Sequence, residues 1–261
     1  HSVHSEEFSR LERYLAAIER EFELVSKLLP AQREVVQVHL GGGTPTHLTP
    51  AQLERLIGSL RERLPWASDI EASIEVHPPV TSLAHLETLA SLGFNRLSMG
   101  VQDFDEQVQE RVNRPQPFEQ TRQLVAFARA LGFESVNMDL MYGLPLQTVE
   151  RFATTLELVK RIDPDRLALF GYAHMPSLKK HQRLIDANEL PNAEGRLALL
   201  ELGINTLEAS GYTLIGLDHF SRSHDELVKA RENGTLRRNF MGYTTCRDSE
   251  VIAFGPSAIS E

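Results

Sequence analysis

Val35-Val36-Gln37-Val38-His39-Leu40-Gly41-Gly42-Gly43-Thr44-Pro45-Thr46-His47-Leu48-Thr49-Pro50 reads as a strand, a bare glycine turn and the start of a helix. The apolar run Val35–Leu40 predicts the strand. Thr49-Pro50-Ala51-Gln52 is a capping box with proline at the first helical position, so a helix opens there. Three glycines between the two elements let backbone approach a ligand without side-chain obstruction. A phosphate cradle would continue Gly-Lys-Ser/Thr. Thr44-Pro45 follows instead, which argues against a nucleoside triphosphate.

The same unit recurs. Strands are predicted at Val35–Leu40, Ile70–Val76, Arg96–Met99, Ser135–Leu140, Arg166–Phe170 and Thr213–Leu217. Helices are predicted at Pro50–Leu64, Leu83–Leu92, Phe118–Leu131, Val149–Ile162 and Glu194–Ser210, after an opening helix at Glu6–Leu28. Leu92-Gly93-Phe94, Leu131-Gly132-Phe133 and Ser210-Gly211-Tyr212 each put glycine just past a helix end, then an aromatic residue leading into a strand. Sustained βα alternation specifies an α/β fold, either an open doubly wound sheet or a βα barrel. In both, ligands lie at the carboxyl ends of the strands. There the chain places Gly41–Thr44, Glu75 with His77, Gly100–Gln102, Asp139 with Tyr142, and Tyr172-Ala173-His174. Loop tips are polar in any fold, so this pattern alone leaves the ligand open.

At 261 residues and 41% hydrophobic content the chain can bury a sizeable core. A net charge of −9 argues against nucleic acid as a partner. No apolar run reaches membrane-spanning length and no leader-like stretch opens the chain. The single cysteine, Cys246, excludes an internal disulfide framework and predicts a reducing compartment, the cytoplasm.

Further segments carry a resemblance. They are His39-Leu-Gly-Gly-Gly-Thr-Pro-Thr46, Ser73-Ile-Glu-Val76, Gly93-Phe-Asn-Arg-Leu-Ser-Met-Gly-Val-Gln-Asp-Phe104, Val112-Asn-Arg114 and Asp139-Leu-Met-Tyr-Gly-Leu-Pro145. Tyr172-Ala-His-Met-Pro176, Gly216-Leu-Asp-His-Phe220, Asn239-Phe-Met-Gly-Tyr-Thr-Thr245 and Gly255-Pro-Ser-Ala-Ile-Ser260 follow in register. Together they resemble the oxygen-independent coproporphyrinogen III oxidases, radical S-adenosylmethionine (SAM) enzymes of haem biosynthesis. The resemblance implies an α/β fold, a partial (βα)6 TIM-like barrel of the radical SAM type with its first strand missing, as one core domain over residues 1–261. It implies two SAM molecules and a [4Fe–4S] cluster held by a Cys-x-x-x-Cys-x-x-Cys loop. That motif is absent here, so its cysteines are expected upstream of His1, and the family's helical carboxy-terminal domain after Glu261. On this reading the chain is an internal piece, without metal ligands of its own and inert by itself. The implied reaction is oxidative decarboxylation of two propionates of coproporphyrinogen III to vinyl groups, giving protoporphyrinogen IX by way of a 5′-deoxyadenosyl radical. The expected partners are coproporphyrinogen III and an electron donor, with no nucleic acid, no membrane span and a monomeric state.

The resemblance also implies roles. Gly42, Gly43, Glu75 and Ile259 fall where the first SAM is held; Thr44, Gln102, Arg114, Asp139 and Ala173 fall where the second is held. Arg114 matches the cation that meets the second SAM's carboxylate, for which a planar fork is suited. Tyr172, His174, Asp218 and His219 are candidate porphyrinogen contacts. Arg96 and Arg114 are the cations considered for its four carboxylates. Ordinary alternatives exist for each: a glycine-rich βα turn, a rim ion pair at Glu75, a solvated Arg114, core positions for Ala173 and Ile259, and a structural His219. Haem chaperones on the same scaffold would carry Val-Gln-Ser-Phe and Gly-Arg-x-His, where this chain has Val101-Gln-Asp-Phe104 and Val112-Asn-Arg-Pro115. A SAM-binding module without chemistry remains a further alternative. So does a metal-dependent hydrolase using Glu75, His77, Asp139 and His174.

Overall fold

A computed structural model describes residues 2–30, 33–239, 242–246, 249–256 and 258–261, with side chains from residue 9 onward. His1, Phe240 and Met241 of the 239–245 motif, and Ser257 of the 255–260 motif, lie outside the described residues. The opening helix α1 spans Ser2–Ser26 and is followed by β1 (Val35–Leu40), α2 (Pro50–Arg61), β2 (Trp66–Val76), α3 (Leu83–Ser91) and β3 (Arg96–Gln102). Then come α4 (Glu106–Arg111), α5 (Phe118–Ala130), β4 (Ser135–Tyr142), α6 (Val149–Ile162), β5 (Arg166–Gly171) and α7 (Ala193–Ala209). The chain continues through β6 (Tyr212–Gly216), β7 (His219–Arg222), α8 (Glu226–Glu232), β8 (Arg237–Asn239) and β9 (Gly242–Thr244).

Local chemistry explains the boundaries. Thr49 Oγ1 accepts from Gln52 N–H at 3.3 Å and Gln52 Oε1 accepts from Thr49 N–H at 3.0 Å, closing the capping box that starts α2. At the end of α3, Gly93 takes φ +81°, Gly93 N–H donates to Ala90 O and Phe94 N–H to Leu89 O. This is the Schellman arrangement, and it turns the Phe94 side chain into the core. Gly132 and Phe133 repeat it after α5.

Seven strands form one sheet in the order β1-β2-β3-β4-β5-β7-β6. β1 to β5 run parallel, with Leu40 opposite Ile74, Val76 opposite Met99, Gly100 opposite Asp139 and Tyr142 opposite Gly171. Their carboxyl ends therefore share one rim. The sheet is open, as expected of an incomplete barrel. β7 is an addition to the expected set: it inserts antiparallel between β5 and β6.

Strand parity divides the sheet chemically. One face carries Ala72 and Ile74, Leu97 and Met99, Val136 and Met138, and Leu167 and Leu169, all buried in the main core with residues of α2, α3, α5, α6 and α7. The other face is polar: Gln37 and His39, Glu71, Ser73 and Glu75, Arg96 and Ser98, Asn137 and Asp139, and Arg166. Among the described residues, no helix is long and apolar enough to cross a membrane.

Candidate active site

The polar face ends at the rim in a charged cluster. After β1, Gly42 and Gly43 adopt φ +71° and +88°. A Cβ on Gly43 would meet no atom within 4 Å, so this turn presents bare backbone to open space. At Gly41 a Cβ would come within 2.6 Å of His39 Nε2 and 3.0 Å of Glu75 Oε1, so that glycine makes room for a pair of side chains. His39 Nδ1 and Ser73 Oγ are hydrogen-bonded at 2.7 Å, which aims His39 Nε2 at Glu75 Oε1, 3.5 Å away. The His39 imidazole holds Glu75 below the usual carboxylate range against opposing burial, and the Gly42 backbone N–H adds to this.

Asp139 lies across β3 from Glu75. Its Oδ1 accepts from Asn137 Nδ2 at 2.8 Å, and Asn137 also donates to Ser98 Oγ at 3.0 Å. Burial pushes the Asp139 carboxyl up to about 6; the Asn137 bond and Arg114 oppose this, while Glu75 and Asp218 reinforce it. Arg114 Nη2 donates to Gly100 O at 2.8 Å and meets His77 Nδ1 at 3.4 Å. Burial, then Arg114 and His47, push His77 down, which favours its neutral form.

Gln102 and Arg114 are held from behind. Gln102 has φ +70°, an unusual conformation for a residue with a side chain. The next residue, Asp103, is buried and accepts from Asp105 N–H at 2.7 Å, from Gln147 Nε2 at 2.6 Å and from Thr155 Oγ1. Gln109 Nε2 donates to Asp103 O and Gln116 O, both at 2.8 Å, and Gln109 O accepts from Arg114 N–H at 2.8 Å. One buried network thus fixes the backbone next to Gln102 and Arg114.

The other expected residues are held as follows. Thr44 leads into the single turn Pro45–His47. Tyr172 is buried beside Val108 and Leu144, with its hydroxyl 3.2 Å from His174 Nδ1. The Ala173 carbonyl accepts from Gln182 Nε2 at 3.0 Å. Asp218 Oδ1 pairs with His219 Nδ1 at 2.7 Å, and the His219 ring meets Phe170 and Tyr243 edge-on. Ile259 is 48% exposed, in a terminal stretch whose Gly255 N–H donates to Glu21 of α1. The sequence left Arg96 unplaced against the substrate carboxylates. It lies at the opposite end of β3, where Glu226 at 2.7 Å and Glu71 at 3.1 Å already neutralise it. Sequence reasoning passed over His39, Ser73 and Asn137, although their inward parity beside Glu75 and Asp139 was a usable signal.

The donor set discriminates between cofactors. The buried atoms Gln102 Oε1 and Arg114 Nε have no hydrogen-bond partner, whereas His39 Nε2 is spent on Glu75. Orphaned polar atoms beside an open glycine turn fit a ligand with amino, carboxylate and hydroxyl groups, which SAM has. A [4Fe–4S] cluster does not fit the residues present. The chain has one cysteine, and among the described residues no three His, Cys, Asp or Glu side chains group to hold a metal. That also removes geometric support for a metal site built from Glu75, His77, Asp139 and His174.

An open parallel sheet with a glycine turn and converging polar groups at its carboxyl rim defines a βα cofactor-binding protein, and the chain belongs to the radical SAM superfamily, whose family model matches residues 8–159. The superfamily's cofactors are SAM and a [4Fe–4S] cluster. Within it, the chain is 48% identical over 251 residues to the oxygen-independent coproporphyrinogen III oxidase of Escherichia coli K12 and 46% identical over 250 residues to that of Helicobacter pylori. These matches take in 96% and 95% of this chain but 55% of each relative, so the chain spans about half their length. The solved structure of coproporphyrinogen III oxidase from Escherichia coli superposes with a TM-score of 0.94 over 96% of this chain and 58% of that one.

Proposed function

We propose that this chain is the SAM-binding core domain of an oxygen-independent coproporphyrinogen III oxidase. The observation that carries the reading is the clustering of Glu75, Gln102, Arg114 and Asp139 near the Gly42–Gly43 turn, with two orphaned polar atoms among them, Gln102 Oε1 and Arg114 Nε. The 42–49% identity to enzymes of that name supports the choice of reaction.

Two SAM molecules are assigned. Gly42 and Gly43 backbone groups and Glu75 hold the first, with Ile259 as an apolar contact; Thr44, Gln102, Arg114, Asp139 and Ala173 hold the second. Glu75, kept ionised by His39, accepts from ammonium or hydroxyl groups. The Arg114 fork receives a carboxylate, and Asp139 faces positive charge. If bound and supplied with an electron from a cluster, SAM would supply the hydrogen-atom abstraction, after which a propionate radical that passes one electron to a one-electron acceptor loses carbon dioxide and becomes a vinyl group. Coproporphyrinogen III as substrate, a separate electron donor, a cytoplasmic location and a monomeric state complete the reading. Calorimetric titration of the chain with SAM tests it: two sites are expected, and no binding overturns it. The whole protein should convert coproporphyrinogen III to protoporphyrinogen IX.

Gly43→Val gives a sharper check. The variant should lose SAM affinity by about tenfold or more, since the new side chain enters the ligand space, while positive φ costs about 1–2 kcal/mol of stability. Gly132→Val is the control, because Gly132 also has positive φ and an open Cβ position. It should show the stability loss in urea melts and normal SAM binding. Equal SAM affinities for the two variants would remove the turn from the site.

A further inference from the structure

The loop between β5 and α7 is set apart by its charge. From Tyr172 to Ile185 it contains Lys179, Lys180 and Arg183, with His174 and His181, and no acid, in a chain of net charge −9. Nearby on this rim, Arg111 pairs with Glu189 and Arg151 with Asp105. Among the described residues, no carboxylate forms an ion pair with Lys179, Lys180 or Arg183, all of which are exposed.

The loop is nevertheless anchored at both ends. Tyr172 N–H donates to Tyr142 O at 2.8 Å where β4 and β5 finish. Gln182 is buried; its Nε2 donates to Ala173 O and its Oε1 accepts from Met175 N–H. Ile185 and Leu190 pack on the small cluster of Val108, Leu144 and Tyr172. Leu146 N–H donates to Glu189 O at 2.8 Å, and Arg111 of α4 holds the Glu189 carboxylate. The segment therefore runs along the rim from β5 to α4, the helix that leads to Arg114. Its middle leaves Leu178 70% and Leu184 88% exposed, although Ile185 beside them is packed.

Three cations without a carboxylate partner, of which Arg183 also donates to Pro176 O at 3.1 Å, lie between two bare aliphatic side chains on an anchored platform of the same rim and match an amphipathic polyanion. We propose that this loop docks the propionate carboxylates of the porphyrinogen substrate, with Leu178 and Leu184 against its apolar macrocycle. The proposal rests on the coproporphyrinogen III reading above and names where that substrate is held. Lys179, Lys180 and Arg183 receive the carboxylates remote from the reacting one, while Arg114 and Asp139 remain committed to the cofactor.

Coproporphyrin III, the stable oxidised form with the same four carboxylates, is the probe, and its fluorescence anisotropy on titration with the chain is the readout. Lys179→Ala/Lys180→Ala/Arg183→Ala should weaken its binding about tenfold at low salt, the sum of three exposed charge contacts, and leave SAM affinity unchanged. Coproporphyrin tetramethyl ester should bind the wild-type chain and the triple variant equally. Equal binding of the free acid to both proteins overturns the dock and leaves the substrate reading standing. Loss of SAM affinity in the triple variant overturns the dock as well, since the effect is then structural. Failure of the wild-type chain to bind coproporphyrin III at all overturns the substrate reading and the dock with it. Capture of the chain by phosphatidylglycerol vesicles through these three residues, with porphyrin binding unchanged, makes the loop a membrane contact instead.

Discussion

Asp139→Asn should weaken SAM binding about a hundredfold while making the ligand-free chain more stable by about 1–2 kcal/mol at pH 7. Both effects follow from one cause. Burial raises the Asp139 carboxyl to about 6, so at neutral pH the free protein holds a charge that its surroundings disfavour. The native state binds more protons than the unfolded state between the ordinary carboxylate range and about 6. Asp139 therefore costs stability above that window, and the cost fades as pH falls through it. Asparagine keeps the acceptor for Asn137 Nδ2 without the charge, so the gain should appear at pH 7 and vanish near pH 4. A cationic ligand reverses the preference, because it favours the ionised carboxylate. Wild-type affinity should then fall about tenfold between pH 7 and pH 5, the fraction ionised setting the loss, and the variant should lack this dependence. Calorimetric titrations across pH, paired with thermal melts, measure both sides. A variant that binds SAM normally, or that is less stable than wild type at pH 7, would remove Asp139 from the site.

Much of this was legible before any coordinates. The Thr49–Gln52 capping box, the Gly-aromatic helix ends and five of the parallel strands are written in local chemistry, each determined by residues within one turn of one another. Their places at the carboxyl ends of predicted strands likewise marked Glu75, Gln102 and Asp139. What stayed hidden depends on pairing over distance. His39 finds Ser73 across two strands and 34 positions of sequence. Arg96 shares the inward parity of Gln102, but parity gives the face and not the height; its register opposite Ser135 puts it at the far end of the sheet. β7 escaped notice because it is four residues long and the chain turns back through Leu217 at φ +50°, a position held by neither glycine nor asparagine. α4 has six residues, too few for a helical period, and is declared mainly by the Asp105 cap. The anchoring of the β5–α7 loop by Gln182 and Glu189 is likewise tertiary.

The far end of the polar face should be where the fold is most fragile. Arg166→Met is expected to destabilise the chain by about 3–5 kcal/mol, because it strips a buried ion pair of one partner. Arg166 is 15% exposed and donates to Asp225 Oδ2 and Glu226 Oε1, each at 2.9 Å; the Asp225 side chain is 8% exposed. Glu226 keeps Arg96, but Asp225 is left with burial, its cap on Leu227 N–H and the Ser221 hydroxyl. In the intact protein burial works to raise Asp225, and Arg166 prevails and holds it below the usual range. Its stability contribution is therefore present above the ordinary carboxylate range and is lost as pH falls through the depressed value. Without Arg166 the sign inverts, so the deficit of the variant should be largest at neutral pH and shrink on acidification. Arg122→Met, which breaks the exposed pair with Glu119, is the contrast and should stay within about 0.5 kcal/mol. Adding Asp225→Leu to Arg166→Met should recover part of the loss, since the uncompensated charge is then gone even though the α8 cap goes with it. Urea melts at two pH values test the set. SAM affinity measured well below the transition should stay near wild type throughout, because the ion cluster and the cofactor cluster occupy opposite ends of the same strands. An Arg166→Met variant with the stability of wild type at pH 7 would show that Asp225 finds solvent or another donor, and that the buried ion cluster does not hold this end of the sheet.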